Sequence, residues 1–394
     1  MTNRSVTCDV AVVGAGMVGL TLAAALGGAG LAVALIDAQH LGALKARARD
    51  GRTSAIASGS RAALARAGAW DAIAGAAQPI LEIRVSDSDA PLFLHYDHEL
   101  LGEGPLGWIA ENADIREALI ARVCALDAVT ALDGRKLETL VRDGHRIVAT
   151  LSDGTRVEAS LAIAADGHDS ALRRDAGIET VAWRYDQASI VCTVAHARPH
   201  RGVAHEKFLP TGPFAILPMT GDRSSIVWTE RAALVPEIVK LPRAEFTRAL
   251  ARRFGDFLGA LEVEGEVTAY PLALSHARRY TAQRLALIGD AAHTIHPIAG
   301  QGFNLGLRDV DALCDALGDA RALGLDLGSR APLEAYERAR RFDNTLMIAL
   351  TDGLNRLFSN AVVPIKLARD AGLAAVNRAP PLKRAFMRHA MGLS

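Results

Sequence analysis

The stretch DVAVVGAGMVGLTLAAAL at residues 9–26 decides the fold. An apolar run ends at Gly14, the pattern Gly14-x-Gly16-x-x-Gly19 follows, and leucines and alanines of good helical propensity continue to Leu26. A strand that turns into a helix through three spaced glycines predicts a dinucleotide-binding unit. Gly14 makes the tight turn, Gly16 lets backbone approach a pyrophosphate, and Gly19 lets helix pack on strand. Backbone N–H groups at the helix start then face the phosphate charge. The next apolar run, LAVALID, ends in Asp37, where a carboxylate accepts hydrogen bonds from an adenosine ribose. That carboxylate would repel a 2′-phosphate, so the tight ligand expected is FAD or NAD rather than NADP.

No residue from Val10 to Ile36 is charged, which imitates a membrane span. Gly14, Gly16, Gly19, Gly27, Gly28 and Gly30 punctuate the stretch, and buried parallel strands flanking a helix read the same way. The opening MTNRSVTCDV is short and polar and is not read as a signal peptide. The 394 residues suggest about two or three domains. Hydrophobic residues make up 50% and charged ones 22%, an ordinary globular balance. Lys+Arg and Asp+Glu both total 44, and aromatics reach only 5%, which argues against a nucleic-acid binder. Cys8, Cys124, Cys192 and Cys314 form no C-x-x-C pair; they are expected to be free thiols of a reducing compartment.

Two further segments carry chemistry. In LAIAADGHDSALRRDAGI, 161–178, a strand runs into Asp166-Gly167, then Ser170 and Arg173 open a helix; alone, Asp-Gly reads as a turn. In RLALIGDAAHTIHPIAGQGFNLGLRDVDAL, 284–313, a strand ends at Gly289-Asp290, a loop carries His293, His296 and Pro297, and Gly300-Gln301-Gly302 starts a long helix. The start of that helix offers N–H donors and a positive dipole end, which suits the electron-rich edge of a reduced flavin. His293 and His296 lack helix context and thiolate or acidic neighbours, so no metal is expected.

Together these segments resemble the class A flavoprotein monooxygenases, and within them the ubiquinone-biosynthesis hydroxylases. HPIAGQGFNLGLRD at 296–309 is close to that subfamily's signature, and DGRTSAIASGSRAALARAGAW at 50–70 resembles its second FAD-contacting segment. PLGWIAENADIREAL at 105–119, GPFAILPM from 212 and SIVW ending at 228 also fit. The C-terminal portion matches less obviously.

The resemblance implies an α/β fold like that of p-hydroxybenzoate hydroxylase. It has a Rossmann-like FAD-binding domain, an inserted β-sheet substrate domain and a helical C-terminal region. FAD binding would occupy 1–75, 105–180 and 273–330. The substrate domain would occupy 76–104 and 181–272, and the helical region 331–394. The resemblance also assigns residues. Gly14, Gly16 and Gly19 would hold the FAD pyrophosphate, and Asp37 the adenosine ribose. Arg52 would lie near the pyrophosphate or ribityl chain, and Asn112 at a polar FAD contact. For these two, a surface salt bridge and a helix cap are the alternatives. Asp166 and Gly167 would lie where FAD and the nicotinamide cofactor both approach. Gly289 and Asp290 would face the ribityl chain. His296 and Pro297 would be the flavin-adjacent catalytic candidates, and Gly300, Gln301, Gly302 and Asn304 would contact the isoalloxazine edge.

The activity implied is hydroxylation of an aromatic ring, a polyprenylphenol of ubiquinone biosynthesis, by O₂. NADH or NADPH would reduce FAD, and a flavin C4a-hydroperoxide would deliver the oxygen. A hydroxylase of a soluble phenol and a non-catalytic FAD-bound scaffold are the alternatives. A halogenase is disfavoured, because Trp70, Trp108, Trp183 and Trp228 do not build W-x-W-x-I-P. Short strand-like runs at 180–270 should form the sheet roofing the substrate, with Phe208, Phe214, Leu217 and Met219 as candidate lining residues and ordinary sheet core as the favoured alternative for any single one. The stretch to residue 75 after the opening unit reads as helix-rich, and the chain from 331 as helix broken by Pro364 and Pro380-Pro381. Arg378, Lys383, Arg384 and Arg388 make the tail basic. A membrane-surface or partner-docking helix and a solvated helix packed on its own domain are both open there. A cytoplasmic location, with peripheral contact at the inner face of the membrane, is expected.

Overall fold

In the computed structural model, residues 4–45, 51–87, 93–100, 102, 104–296 and 300–358 are described, with positions 381, 384, 388, 391 and 392 beyond them. The uncharged opening stretch is strand Val10–Val13, helix Met17–Gly28 and strand Val33–Asp37. The strands pair in parallel, Val10 against Val33. They lie inside a six-stranded sheet ordered Thr281–Ala282, Leu285–Leu287, Leu161–Ala164, Val10–Val13, Val33–Asp37, Val129–Asp133. Val10–Val13 and Leu161–Ala164 are buried throughout, which explains the missing charges. A Cβ on Gly27 would lie 2.5 Å from Val129 Cγ2, so this glycine sets how closely the helix approaches the sheet. Among the described residues, no helix is long and apolar enough to cross a membrane.

An eight-stranded sheet holds the two longest strands, Thr180–His196 and Leu261–Ala277, each of 17 residues and paired antiparallel. Beside them run Arg223–Arg231, Gly212–Met219, Val203–Leu209 and the earlier segments Glu82–Asp87 and Phe93–Asp97. Side chains alternate between its faces. On the outer face Ile190, Cys192, Phe214, Ile216, Ile226 and Trp228 pack against Phe246, Leu250 and Phe254 of helix Arg243–Phe254. The inner face carries Phe208, Ala215, Leu217, Met219, Ser225 and Val227. Phe214 is therefore sheet core rather than substrate lining. It sits in the outer core, 6.4 Å from the Trp228 ring, and does not line the face that bears Phe208 and Leu217. Met219 shares the inner face but packs among Ile80, Leu106, Ile109 and Met391.

The stretch to residue 75 is less helical than its pattern suggests. Thr53–Ala57 is a strand, because it pairs antiparallel with Gly107–Glu111, far along the chain. Two long helices close the described chain, Gln301–Ala322 and Arg330–Phe358. The second runs unbroken for 29 residues, and Pro364 and Pro380 lie outside the described residues. It also joins the eight-stranded sheet. Tyr185 Oη donates to Asp352 Oδ1 at 2.8 Å, Asn355 Nδ2 donates to Gln187 Oε1 at 3.0 Å, and Phe358 stacks on Phe208 at 4.2 Å.

Candidate active site

Two helix starts define the site. The helix from Met17 is capped by the backbone of Gly16, and the helix from Gln301 by that of Gly300. Neither has a side-chain cap bond, and neither has an acidic residue in its first turn. Neither helix therefore offsets its positive end with a carboxylate from its own first turn.

The first start is held by backbone crowding. Gly14 has φ +110°, and a Cβ there would lie 2.2 Å from Ala165 O; on Gly19 it would lie 2.0 Å from Gly14 O. Gly16 meets nothing within 4 Å. Asp37 reaches back to this loop, accepting from Ala15 N at 2.6 Å and from Gln39 N at 2.7 Å. Ala165 leads into Asp166, whose Oδ2 accepts from Ala171 N at 2.9 Å and Leu172 N at 3.3 Å. Asp166 Oδ1 is buried with no partner among the described residues. Gly167, at φ +86°, also meets open space.

Sequence reasoning gave Arg173 no role beyond opening a helix. Its guanidinium donates to His168 O and to Ala291 O, both at 2.8 Å, and ties the Asp166-Gly167 loop to the Gly289–Ala291 turn. Asp290 in that turn is reachable by solvent, and the protein packed around its carboxyl raises the pKa by desolvation. Gly289 and Gly306 both back onto Val18 of the first helix, which brings the two helix starts together.

The second start is held by side chains. Asn304 Nδ2 donates to Ala55 O at 2.8 Å and Gly300 O at 3.1 Å, and its Oδ1 accepts from Ala57 N at 2.8 Å. Asn304 thereby clamps strand Thr53–Ala57 to the helix, and Gly300, at φ +63°, leaves room for Ala55. Gln301 is buried, whereas a Cβ on Gly302 would meet nothing within 4 Å. Arg52 enters the same strand with its guanidinium 5.4 Å over the Tyr270 ring, and its carbonyl accepts from Asn112 N at 3.0 Å. Asn112 Oδ1 accepts from Ser54 Oγ at 2.7 Å. Pro297 lies outside the described residues. His296 is fully buried, with both ring nitrogens unpartnered among the described residues and its ring 5.1 Å from Tyr185. Burial lowers its pKa to about 4, so it is neutral at neutral pH.

A buried hub supports the second helix. Asp309 Oδ2 accepts from His293 Nε2 at 2.6 Å and Gly289 N at 3.0 Å, and its Oδ1 accepts from Arg340 Nε at 2.9 Å. Burial alone would raise this carboxyl's pKa. His293 and Arg340 outweigh it and hold the group at about 2. Asp309 stands at the end of the 296–309 run, but nothing in the sequence singled out Arg340 as its partner.

These residues fit FAD. Two acid-free helix starts suit a diphosphate and an electron-rich ring. The bare faces of Gly16, Gly167 and Gly302 leave the space that a Cβ would fill. Asp290 at the surface and Asp166 Oδ1, which has no partner among the described residues, offer carboxylate oxygens of the kind that suit a hydroxyl-rich chain.

Residues 7–348 match the family described as FAD binding domain. The ubiquinone hydroxylase UbiL of Rhodospirillum rubrum is 52% identical over 384 residues, covering 98% of this chain and 89% of that protein. The 3-demethoxyubiquinol 3-hydroxylase of Escherichia coli is 35% identical over 395 residues, with full coverage of both chains. The crystal structure of p-nitrophenol 4-monooxygenase PnpA from Pseudomonas putida shares the fold, with a TM-score of 0.80 at 21% identity over 98% of this chain and 97% of that one. With its fingerprint glycines, its two acid-free helix starts and these relatives, the chain belongs to the FAD binding domain family, as an FAD-dependent monooxygenase.

Proposed function

We propose that the protein hydroxylates the aromatic ring of a polyprenylated phenol or quinol on the route to ubiquinone, consuming O₂ and NADH or NADPH. The observation that carries this reading is the end-to-end similarity to the Rhodospirillum ubiquinone hydroxylase. The same reading keeps 1–75, 105–180 and 273–330 for the cofactor, 76–104 and 181–272 for the substrate, and 331–394 as the helical region.

Bound FAD supplies the reduction and oxygen activation that ring hydroxylation needs. The chain does the rest. Gly16 and the Met17 helix start hold the diphosphate, with Asp37 near the adenosine ribose and Arg52 and Asn112 beside the bound chain. Asp166 and Asp290 accept hydrogen bonds from hydroxyls. The helix start at Gln301, with Gly302 bare, presents its positive end to negative charge on the ring system. Neutral His296 would border that ring, and Pro297 keeps its expected place beside it from the sequence resemblance alone. The apolar inner face at Ala215, Leu217 and Val227 keeps water away.

Phe342, Leu346, Leu350 and Leu354 are exposed along one side of helix Arg330–Phe358, between Arg338, Arg341 and Arg356. This face supports peripheral contact with an anionic membrane, where a lipid substrate resides. Flotation with anionic vesicles tests it: the protein should rise with the vesicles, and a protein that stays below contradicts it.

The activity is tested with the FAD-loaded protein, a short-chain prenylphenol, NAD(P)H and ¹⁸O₂. One ¹⁸O atom in the ring is expected. NAD(P)H oxidation that yields only hydrogen peroxide, with no labelled product, would overturn the reading.

A further inference from the structure

Strand Val203–Leu209 presents Val203, His205 and Lys207 to the outer face of the eight-stranded sheet. There Lys207 Nζ donates to Arg253 O and Phe254 O, and the His205 ring lies 4.7 Å from Phe257. Glu206 must therefore project from the inner face, between Ala204 and Phe208. Its neighbours across the strands are Ala215 on one side and Val85 on the other. Two strands further on, the same face carries Ser225, opposite Leu217. Ser225 Oγ accepts from Thr53 Oγ1 at 3.0 Å. Thr53 opens the strand that Asn304 clamps to the Gln301 helix. Glu206 thus stands on the face turned toward the cofactor elements.

The carboxyl of Glu206 has no hydrogen-bond or ion-pair partner among the described residues. The residue is half-buried on this face, with protein packed around it. Its surroundings are apolar and no charged group acts on it; burial alone pushes its pKa up to about 8. At neutral pH it is mostly a neutral acid, offering one O–H donor and one carbonyl acceptor. A half-buried carboxyl with no described partner gives the fold little, because desolvating a polar group without a hydrogen bond is costly. No described residue supplies that partner, and the inner face that bears Glu206 is the one turned toward the cofactor elements.

We propose that Glu206 hydrogen-bonds a hydroxyl on the substrate ring, and so selects phenols and quinols over rings whose oxygens are all alkylated. This assignment rests on the function proposed above. A site built around a hydroxyl discriminates strongly against analogues lacking it, because its own polar group is then left unpaired.

The test uses full-length, FAD-loaded wild type, E206L and E206A, with 2-geranylphenol and its methyl ether as probes. Dissociation constants are read from the change in flavin absorbance. Wild type should prefer the phenol by roughly tenfold or more. E206L should lose that preference, bind the ether as before, and melt no lower than wild type. E206A removes the carboxyl without adding bulk and gives the same readout should leucine disturb folding. Either variant keeping the full preference for the phenol overturns the assignment while leaving the function intact. A holoprotein that binds neither probe overturns the function, and the assignment with it.

Discussion

The helix starting at Met17 is positioned by its own backbone, whereas the helix starting at Gln301 is positioned by side chains from distant segments. At the first, Gly14 and Gly19 are needed because carbonyls lie where a Cβ would go. At the second, Asn304 and Asp309 fix the helix through strand Thr53–Ala57, His293 and Arg340. Both leave an acid-free N-terminus beside a bare glycine, Gly16 in one and Gly302 in the other. The same electrostatic requirement is met by local steric demand in one case and by a long-range polar network in the other.

The comparison breaks most visibly at Gly14. Gly14→Ala places a methyl 2.2 Å from Ala165 O at φ +110°, so neither sterics nor backbone conformation tolerates it. A loss of about 4 kcal/mol or more is expected, seen as a collapse in soluble yield and FAD content. A protein with wild-type melting would show that the crowding is not real.

Asp309→Asn probes the second start. It removes one of the two carboxylates that neutralise buried Arg340, Asp343 Oδ2 keeping its place 2.7 Å from Nη1, and a loss of about 3 kcal/mol is expected in denaturant unfolding. The wild-type group also sets a pH limb. Its pKa falls from 3.8 to about 2 in the fold, so its stabilisation is present above about pH 4 and disappears as pH falls toward 2. The variant should lack that limb; an unchanged acid transition would assign it to other carboxylates.

Gly16→Ala has the smallest expected effect on folding and sharpens the contrast with Gly14. Nothing lies within 4 Å of the added methyl, so stability should stay within about 0.5 kcal/mol of wild type. FAD affinity should nevertheless fall by roughly tenfold, since the methyl occupies space the diphosphate needs. Unchanged affinity would mean that the diphosphate does not approach this loop.

The same contrast explains what could be read from the sequence. Gly14, Gly16, Gly19 and Asp37 were legible because the geometry they serve lies within one strand–helix–strand unit. Asp309 was visible only as part of a run, because its partners His293, Arg340 and Asn344 come together through folding. Phe214 reads as substrate lining or as sheet core. A strand's alternation separates two faces without saying which one the helix Arg243–Phe254 will cover. Strand Thr53–Ala57 was hidden among alanine-rich residues, and only pairing with Gly107–Glu111 makes it a strand. Glu206 carried no motif at all; its isolation becomes visible once register fixes its neighbours.

Mass spectrometry of lipid quinones, in a deletion strain with and without the restored gene, tests the central claim most directly. The account predicts accumulation of a prenylated precursor lacking one ring oxygen, reversed by the wild-type gene. An unchanged quinone pool, in a strain with no second hydroxylase for that ring position, would contradict it.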